Sequence, residues 1–513
     1  MLDIPSLIQF AAQWKWVSLV LGSSVLLAFF VQRKYQTGLR DIPGPFLASI
    51  LPFDRVFTSL SGKQFLAHIK YHEKYGPLVR VGPNHVSFSD ANVITQIYGI
   101  TTKFYKSDFY TLFDVKGAAG NIPTVFSIRD ESAHKALKRP VAGAFSMSSL
   151  VELEPMTDVC IEILQNKLNN MLDRDIDFGE WLQWYAFDVI TSITFSNRLG
   201  FMEEEKDVSG IINAIEGRLA YNSVIGEVPS MHKYLLGNRI VAQIATLIPA
   251  LARLNSAGYI AAFAAKQLER YKSADKSSDQ LRDMLARFRR SRDGAEVMTD
   301  EELLSHATSN IFAGSDTTAI SLRSMFYYIC KNPRCYNAIL KEIDDMDKSG
   351  QLSDPITFAE ANKMKYLQAC MKEAMRMHPA VGQLLERVVP QAGATISGVW
   401  FPQGTIVGVN PWVVSRDKSV YGADAEEYRP ERWLEADPAS MRLMERNFMA
   451  FGSGARTCLG KNVSLLEMSK LVPQILRSFK VELSDPNKDW TLTDNWFVKQ
   501  TNVICRISKR PKA

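Results

Sequence analysis

The spacing of apolar positions divides this chain. From Trp14 to Val31 they are almost continuous, with Val17, Leu19, Val20, Leu21, Val25, Leu26, Leu27, Phe29 and Phe30 in a segment whose single charge is Lys15. A bilayer core takes about 20 residues of helix, and this segment has no polar face to turn toward water, so it predicts one membrane-spanning helix. Arg33, Lys34 and Arg40 follow and predict that the C-terminal bulk stays cytosolic. A cleaved signal peptide fits less well, because the basic flank is on the wrong side and no small-residue cleavage site follows. Asp41-Ile42-Pro43-Gly44-Pro45 cannot continue a helix and predicts a stiff turn. Residues 1–32 are thus expected as an anchor, 33–45 as a basic and proline-rich hinge, and 46–513 as one domain.

Beyond the hinge the pattern alternates, then becomes helical. Leu78-Val79-Arg80-Val81 before Gly82-Pro83, and Val86-Ser87-Phe88, read as two strands. From about 130 to 350 helical spacing dominates, and Val388 to Val409, punctuated by Gly398, Pro402 and Gly404, is strand-rich again. The fold class expected is mainly α with minor β, a small sheet lying near each end of the sequence. Thr299 and Glu302 form a capping-box pair, Asn332-Pro333 stops the helix between, and Leu303, Ala307, Ile311, Gly314, Thr318, Leu322, Met325 and Ile329 mark its buried face. At 1.5 Å per residue such a helix runs roughly 45 Å, enough to cross a domain. A second helix is expected from Thr357, with Glu360 three residues on, to just before Pro379.

Composition adds exclusions. A net charge of +5 from 60 basic and 55 acidic residues gives no case for nucleic-acid binding. Six cysteines without a C-x-x-C pair fit a reducing compartment and core packing rather than a disulfide scaffold. One of them differs. Phe451-Gly452-Ser453-Gly454-Ala455-Arg456-Thr457-Cys458-Leu459-Gly460 sets Cys458 in a glycine-rich turn before the helical pattern Leu465, Met468, Val472, Ile475 and Phe479. A helix N-terminus stabilises a thiolate, glycines let backbone approach a flat group, and Arg456 offers a guanidinium to carboxylates. The loop fails as a phosphate loop, since five residues separate Gly454 from Gly460 and Asn462 stands where a hydroxyl is needed. Glu373 and Arg376 share a helix face among apolar neighbours, which predicts a buried ion pair. Within Ala313-Gly314-Ser315-Asp316-Thr317-Thr318 a threonine hydroxyl bonded to a preceding carbonyl would bend the long helix and open room for a small molecule.

Phe451, Gly454, Arg456, Cys458 and Gly460 resemble the cytochrome P-450 signature F-x-x-G-x-R-x-C-x-G at every fixed position. Ala313 to Thr318 resembles the family's oxygen-binding A-G-x-D-T-T, Glu373 and Arg376 its E-x-x-R, and Pro430-Glu431-Arg432-Trp433 its P-E-R-F with Trp433 for Phe. The resemblance spans roughly residues 35 to 510, and the run Leu385 to Trp412 is similar to fungal pisatin-demethylase-like members. It implies the P-450 fold, a helical domain with small sheets around a buried haem b whose iron is ligated by Cys458. Phe451, Gly452, Arg456 and Gly460 would contact that cofactor. Arg387 stands at the family's place for a propionate partner, and His134 and Lys138 replace the usual W-x-x-x-R. Arg432 would complete a structural triad with Glu373 and Arg376. Asp316 and Thr317 would relay protons to iron-bound dioxygen.

The resemblance implies a monooxygenase that oxidises a small hydrophobic molecule, an intermediate of fungal secondary metabolism, by hydroxylation, demethylation, epoxidation or ring closure. No G-x-G-x-x-G fingerprint is present, so NADPH acts only through a partner, an NADPH–cytochrome P-450 reductase, with cytochrome b5 as a second donor, on the endoplasmic reticulum membrane. Lys135, Lys138, Arg139, Arg442, Arg446 and Lys461 are the charges available to such a partner. The substrate pocket is expected to draw on Asn310, Ala313, Thr317, the segment Phe109 to Phe126, Val381 to Leu384, and Phe497, with few polar anchors. Two other classes, a reductase-independent haem-thiolate isomerase or dehydratase and a non-catalytic haem sensor, have no use for the Asp316–Thr317 pair.

Overall fold

The computed structural model describes residues 4–35, 38–117, 120–273, 283–289 and 298–511, so Gln36 and Thr37 of the predicted hinge lie outside it. In chain order the helices that matter to the site and its surroundings are α1 (Ile4–Lys34), α2 (Glu131–Val141), α3 (Phe178–Phe195), α4 (Ile211–Ile225), α5 (Asp300–Lys331), α6 (Lys365–Met377) and α7 (Lys461–Ser478). The strands are β1 (Leu78–Gly82), β2 (His85–Phe88), β3 (Tyr105–Lys106), β4 (Arg387–Val388), β5 (Ile406–Val409), β6 (Thr491–Asn495) and β7 (Phe497–Thr501). Mainly helical with small sheets, the domain has the expected class.

Helix α5 follows the expectation closely. Thr299 and Glu302 close a reciprocal capping box, the Thr299 amide donating to the Glu302 carboxylate at 2.9 Å, and the helix stops at Asn332 before Pro333. Its predicted stripe from Leu303 to Ile329 is largely buried, packed on α3, α6 and α7. The second helix departs from expectation. Thr357 does cap, through the same box with Glu360, but heads only the short helix Phe358–Ala361; the chain then turns, and Met364, with ψ 89, restarts it as α6. A capping box marks a start and says nothing about length.

The sheet also departs from expectation. Strands from both strand-rich stretches join in one five-stranded sheet in the order β1-β2-β5-β4-β3, while Ala394–Ile396 and Val399–Phe401 form a hairpin of their own. Strand β2 pairs parallel with β5, His85 opposite Ile406 and Phe88 opposite Val409, so its centre joins segments more than 300 residues apart. Parallel neighbours need a long crossover, here the whole helical body. Strands β6 and β7 form a separate hairpin, and the bridge between Val381 and Phe497 brings two expected pocket residues together.

Helix α1 is continuous for 31 residues, and Val17, Leu19, Val20, Leu21, Val25, Leu26 and Leu27 are all exposed along it. Among the described residues no helix is long and apolar enough to cross a membrane, so the spanning helix expected over Trp14 to Val31 is not shown by the fold.

Candidate active site

The cysteine loop arrives at the centre of the molecule. After Phe451 the chain passes through Gly452 and Gly454, at φ +69° and +65°, and the Cys458 amide donates back to the Phe451 carbonyl at 2.9 Å. At Gly454 a Cβ would overlap the Tyr98 carbonyl oxygen, so this position needs glycine twice over. Gly460 is the N-cap of α7. Burial among protein pushes the Cys458 thiol up, while the Gly460 and Lys461 amides and the Lys461 and Lys138 charges pull it down. Cys458 is nevertheless exposed, because it faces a cavity enclosed within the chain. About 340 Å³ of this cavity is open to water-sized molecules.

Basic side chains crowd one end of the same cavity. Lys106, His134, Lys138, Arg387 and Arg456 all line it. Arg456 is paired with Glu131 at 2.8 Å, and Lys138 donates to the Ala455 carbonyl at 2.9 Å. Arg387 lies over the Tyr98 ring at 4.9 Å, and Lys106 over Tyr110 and Phe126. Burial and these neighbouring charges lower His134 to about 3 and hold Lys106 well below its usual range. Lys138, Arg387 and Arg456, with the His134 and Lys106 nitrogens beside them and, among the described residues, Glu131 the one carboxylate on the cradle paired to a member of it, are complementary to a ligand that brings negative charge of its own. A haem carrying two carboxylates, with its iron against Cys458, fits that donor set. Lys106 was not singled out from the sequence, where no motif marks it.

Helix α5 supplies the opposite wall. Thr317 lines the cavity, its hydroxyl donating to the Ala313 carbonyl four residues back at 2.7 Å, as the sequence predicted. At Gly314 a Cβ would stand 2.8 Å from Ile190, so the glycine permits the close approach of α3. Asp316 is turned away from the cavity and buried, accepting from the Gln183 amide at 2.6 Å. Gln183 in turn accepts from Arg323 at 2.9 Å and Lys499 at 3.0 Å, and Lys499 is paired with Glu216. Burial raises Asp316 to about 6, against the pull of Lys499. Gln183, Lys499 and Glu216 lie on three other elements, and no sequence spacing ties them to Asp316.

Behind the loop, Glu373, Arg376 and Arg432 are buried together. Arg376 donates twice to the Glu373 carboxylate, at 2.8 and 2.7 Å, and Arg432 once at 2.8 Å. The Trp433 indole N–H, at 2.9 Å, and the Arg429 amide, at 3.0 Å, use the remaining lone pairs. A buried carboxylate with every lone pair satisfied escapes the penalty of an unpaired charge. The Trp433 departure from the family pattern therefore adds a donor that phenylalanine lacks.

Of the expected substrate contacts, Asn310, Ala313, Val381, Phe497 and the two ends of the segment from Tyr110 to Phe126 line the cavity, whereas Phe109 packs behind it on Trp496. The wall is more polar than expected, since Arg218, Asn222, His306, Thr308 and Ser309 also reach it.

A family model described as Cytochrome P450 matches residues 41–504. The chain is 38% identical over 477 residues to a cytochrome P450 monooxygenase of Emericella nidulans, cicH, covering 92% of this chain and 94% of that one. It is 35% identical over 482 residues to pisatin demethylase of Fusarium vanettenii, with 92% and 91% covered. With gsfF, a cytochrome P450 monooxygenase of Penicillium aethiopicum, it shares 33% over 492 residues, covering 94% and 96%. A cavity-facing cysteine, a cationic cradle and likeness over nearly the whole chain agree: this chain belongs to the cytochrome P450 family and is a haem-thiolate monooxygenase.

Proposed function

We propose that this enzyme oxidises a small, largely apolar product of fungal secondary metabolism, with electrons from a membrane-bound NADPH-dependent reductase. The observation that carries this reading is the joint presence of Thr317 on the cavity wall and Asp316 behind it, a pair that only dioxygen chemistry requires. When bound, the haem supplies the iron at which dioxygen is activated. Cys458 holds that iron as a thiolate, aided by the amides at the start of α7. Lys106, His134, Lys138, Arg387 and Arg456 hold its carboxylates.

Asp316, raised to about 6, is oriented by the Gln183 amide, itself held by Lys499, and supplies its carboxyl proton to the cavity side of α5. There Thr317 presents its hydroxyl, kept in place by the Ala313 carbonyl. A proton donor with its pKa near the working pH is the effective kind. The aromatic wall of Phe113, Phe126, Phe312 and Trp496 keeps water from the substrate.

The exposed apolar side chains of α1 support an anchor in the endoplasmic reticulum membrane, with the catalytic domain on the cytosolic side. Phe53, Phe57 and Leu60, with Ile240, Ile244 and Leu247, are exposed as well and suit a domain resting on lipid. Lys135, Arg139, Arg442, Arg446 and Lys461 are exposed, as charges for an acidic reductase face need to be. The test is reconstitution with purified reductase, NADPH and dioxygen, on metabolites that accumulate in a strain lacking the gene. Product formation that needs no reductase would overturn the reading in favour of an isomerase.

A further inference from the structure

Away from the haem-carboxylate cluster, the cavity wall holds another cation. Arg218 and Asn222, four residues apart on α4, share a helix face and both line the cavity. They are 6% and 1% exposed. Arg218 donates to the Leu112 carbonyl at 3.0 Å, and among the described residues no carboxylate pairs with it. The nearest acid on the cavity wall, Asp114, answers instead to Lys116 and Ser127. Asn222 Oδ1 is buried without a hydrogen-bond partner. Arg218 depresses Lys116 and His232, which line an outer pocket with it.

That group extends outward. A second pocket, of about 730 Å³, shares Arg218 with the cavity and is lined by Lys116, Arg239 and Arg253 with no aspartate or glutamate. Arg253 is partly neutralised by Glu216 at 3.3 Å. His232 is lowered to about 4 and carries no charge near neutral pH, its Nδ1 lying 2.8 Å from the Tyr221 hydroxyl. On the inner side stand the rings of Phe113, Phe126 and Trp496, with centroids 5.2 to 6.0 Å apart. Such an arrangement favours a planar ring offset or edge-on to its neighbours.

We propose that the substrate is an aromatic carboxylate, drawn in over the cationic outer pocket and anchored by Arg218 and Asn222. The assignment rests on the cavity being the oxygenation chamber and names the class of molecule it takes. Burial strengthens the ion pair, because a guanidinium already out of water meets a carboxylate without further loss of its own hydration. The outer charges raise the local concentration of anions without contributing contacts.

The test uses the purified full-length holoenzyme and two probe pairs, naphthoate against naphthamide and biphenyl carboxylate against biphenyl carboxamide, followed by the haem absorption shift on binding. The acid of at least one pair is expected to bind about tenfold or more tightly than its amide, with the difference shrinking at high salt. Arg218→Gln, which can still donate to Leu112, should erase that preference, and Arg218→Lys should keep part of it. Acids and amides binding alike in the native enzyme, or an unchanged preference in Arg218→Gln, would overturn the proposal. A thiolate-type ferrous carbonyl spectrum in the native enzyme separates that failure from failure of the haem-thiolate reading, which its loss would sink.

Discussion

Thr317 and Asp316 are adjacent in sequence and opposite in surroundings, one facing the cavity and the other the interior. Their roles separate by measurement. Thr317→Ala removes the hydroxyl beside the reaction and should leave NADPH consumption largely intact while product falls and hydrogen peroxide rises, both read in one coupled assay. Lys499 lowers the Asp316 pKa, so Lys499→Met should raise it above 6. The alkaline limb of the pH profile for coupled turnover, where the protonated donor is lost, should then move to higher pH, and Asp316→Asn should remove it. A limb unmoved by either change would mean that protons reach the cavity another way. Cys458 was legible in the sequence at this scale because its loop is contiguous. Lys106 was not, because its importance comes from Lys138, Arg387 and Arg456, which folding gathers around the same cavity.

Among elements, α5 and α6 show how far local signals reach. Both capping boxes read from sequence are present, yet one heads a helix of 32 residues and the other a helix of four. Caps are settled by residues three apart, whereas length depends on what the following turns pack against. The triad behind the cysteine loop was legible as residue types, but the indole of Trp433 as a donor to Glu373 was not. Trp433→Phe should cost about 1.5–3 kcal/mol, the worth of a hydrogen bond to a charged group, as its carboxylate acceptor loses a partner. The melting temperature of the holoenzyme should fall, with turnover at permissive temperature little changed. An unaltered melting temperature would show that the indole bond adds nothing.

At the scale of the whole molecule, Asp494 of β6 joins the substrate side to the N-terminal segment. Neither of its carboxylate oxygens makes a hydrogen bond of normal geometry, although the Phe65 and Trp496 amides approach, and burial raises it to about 7. A raised acid favours the fold below its unfolded value of 3.8, and that contribution is lost as pH rises through 7. Asp494→Asn should therefore melt higher than the native enzyme above neutral pH, by on the order of 1–4 kcal/mol, with the gap closing toward acid. An equal gap at all pH values would place the effect elsewhere. Removing residues 1–32 should release the protein from the membrane fraction on flotation while its ferrous carbonyl spectrum persists. Full retention on the membrane would shift the anchoring role to the second apolar surface.

What the sequence by itself determined is local or contiguous: the cysteine loop with its glycines, the caps, the apolar stripe of α5 and the continuous apolar run of α1. These depend on neighbours within a few residues, and those neighbours are covalently assured. Only the tertiary structure decided the rest. It joined strands of the two strand-rich stretches in one sheet, turned Asp316 from the cavity toward Gln183, drew a basic cradle from four distant segments and, among the described residues, left Arg218 without an acid. Each depends on which surfaces meet once apolar area is buried, and spacing along the chain carries no record of that.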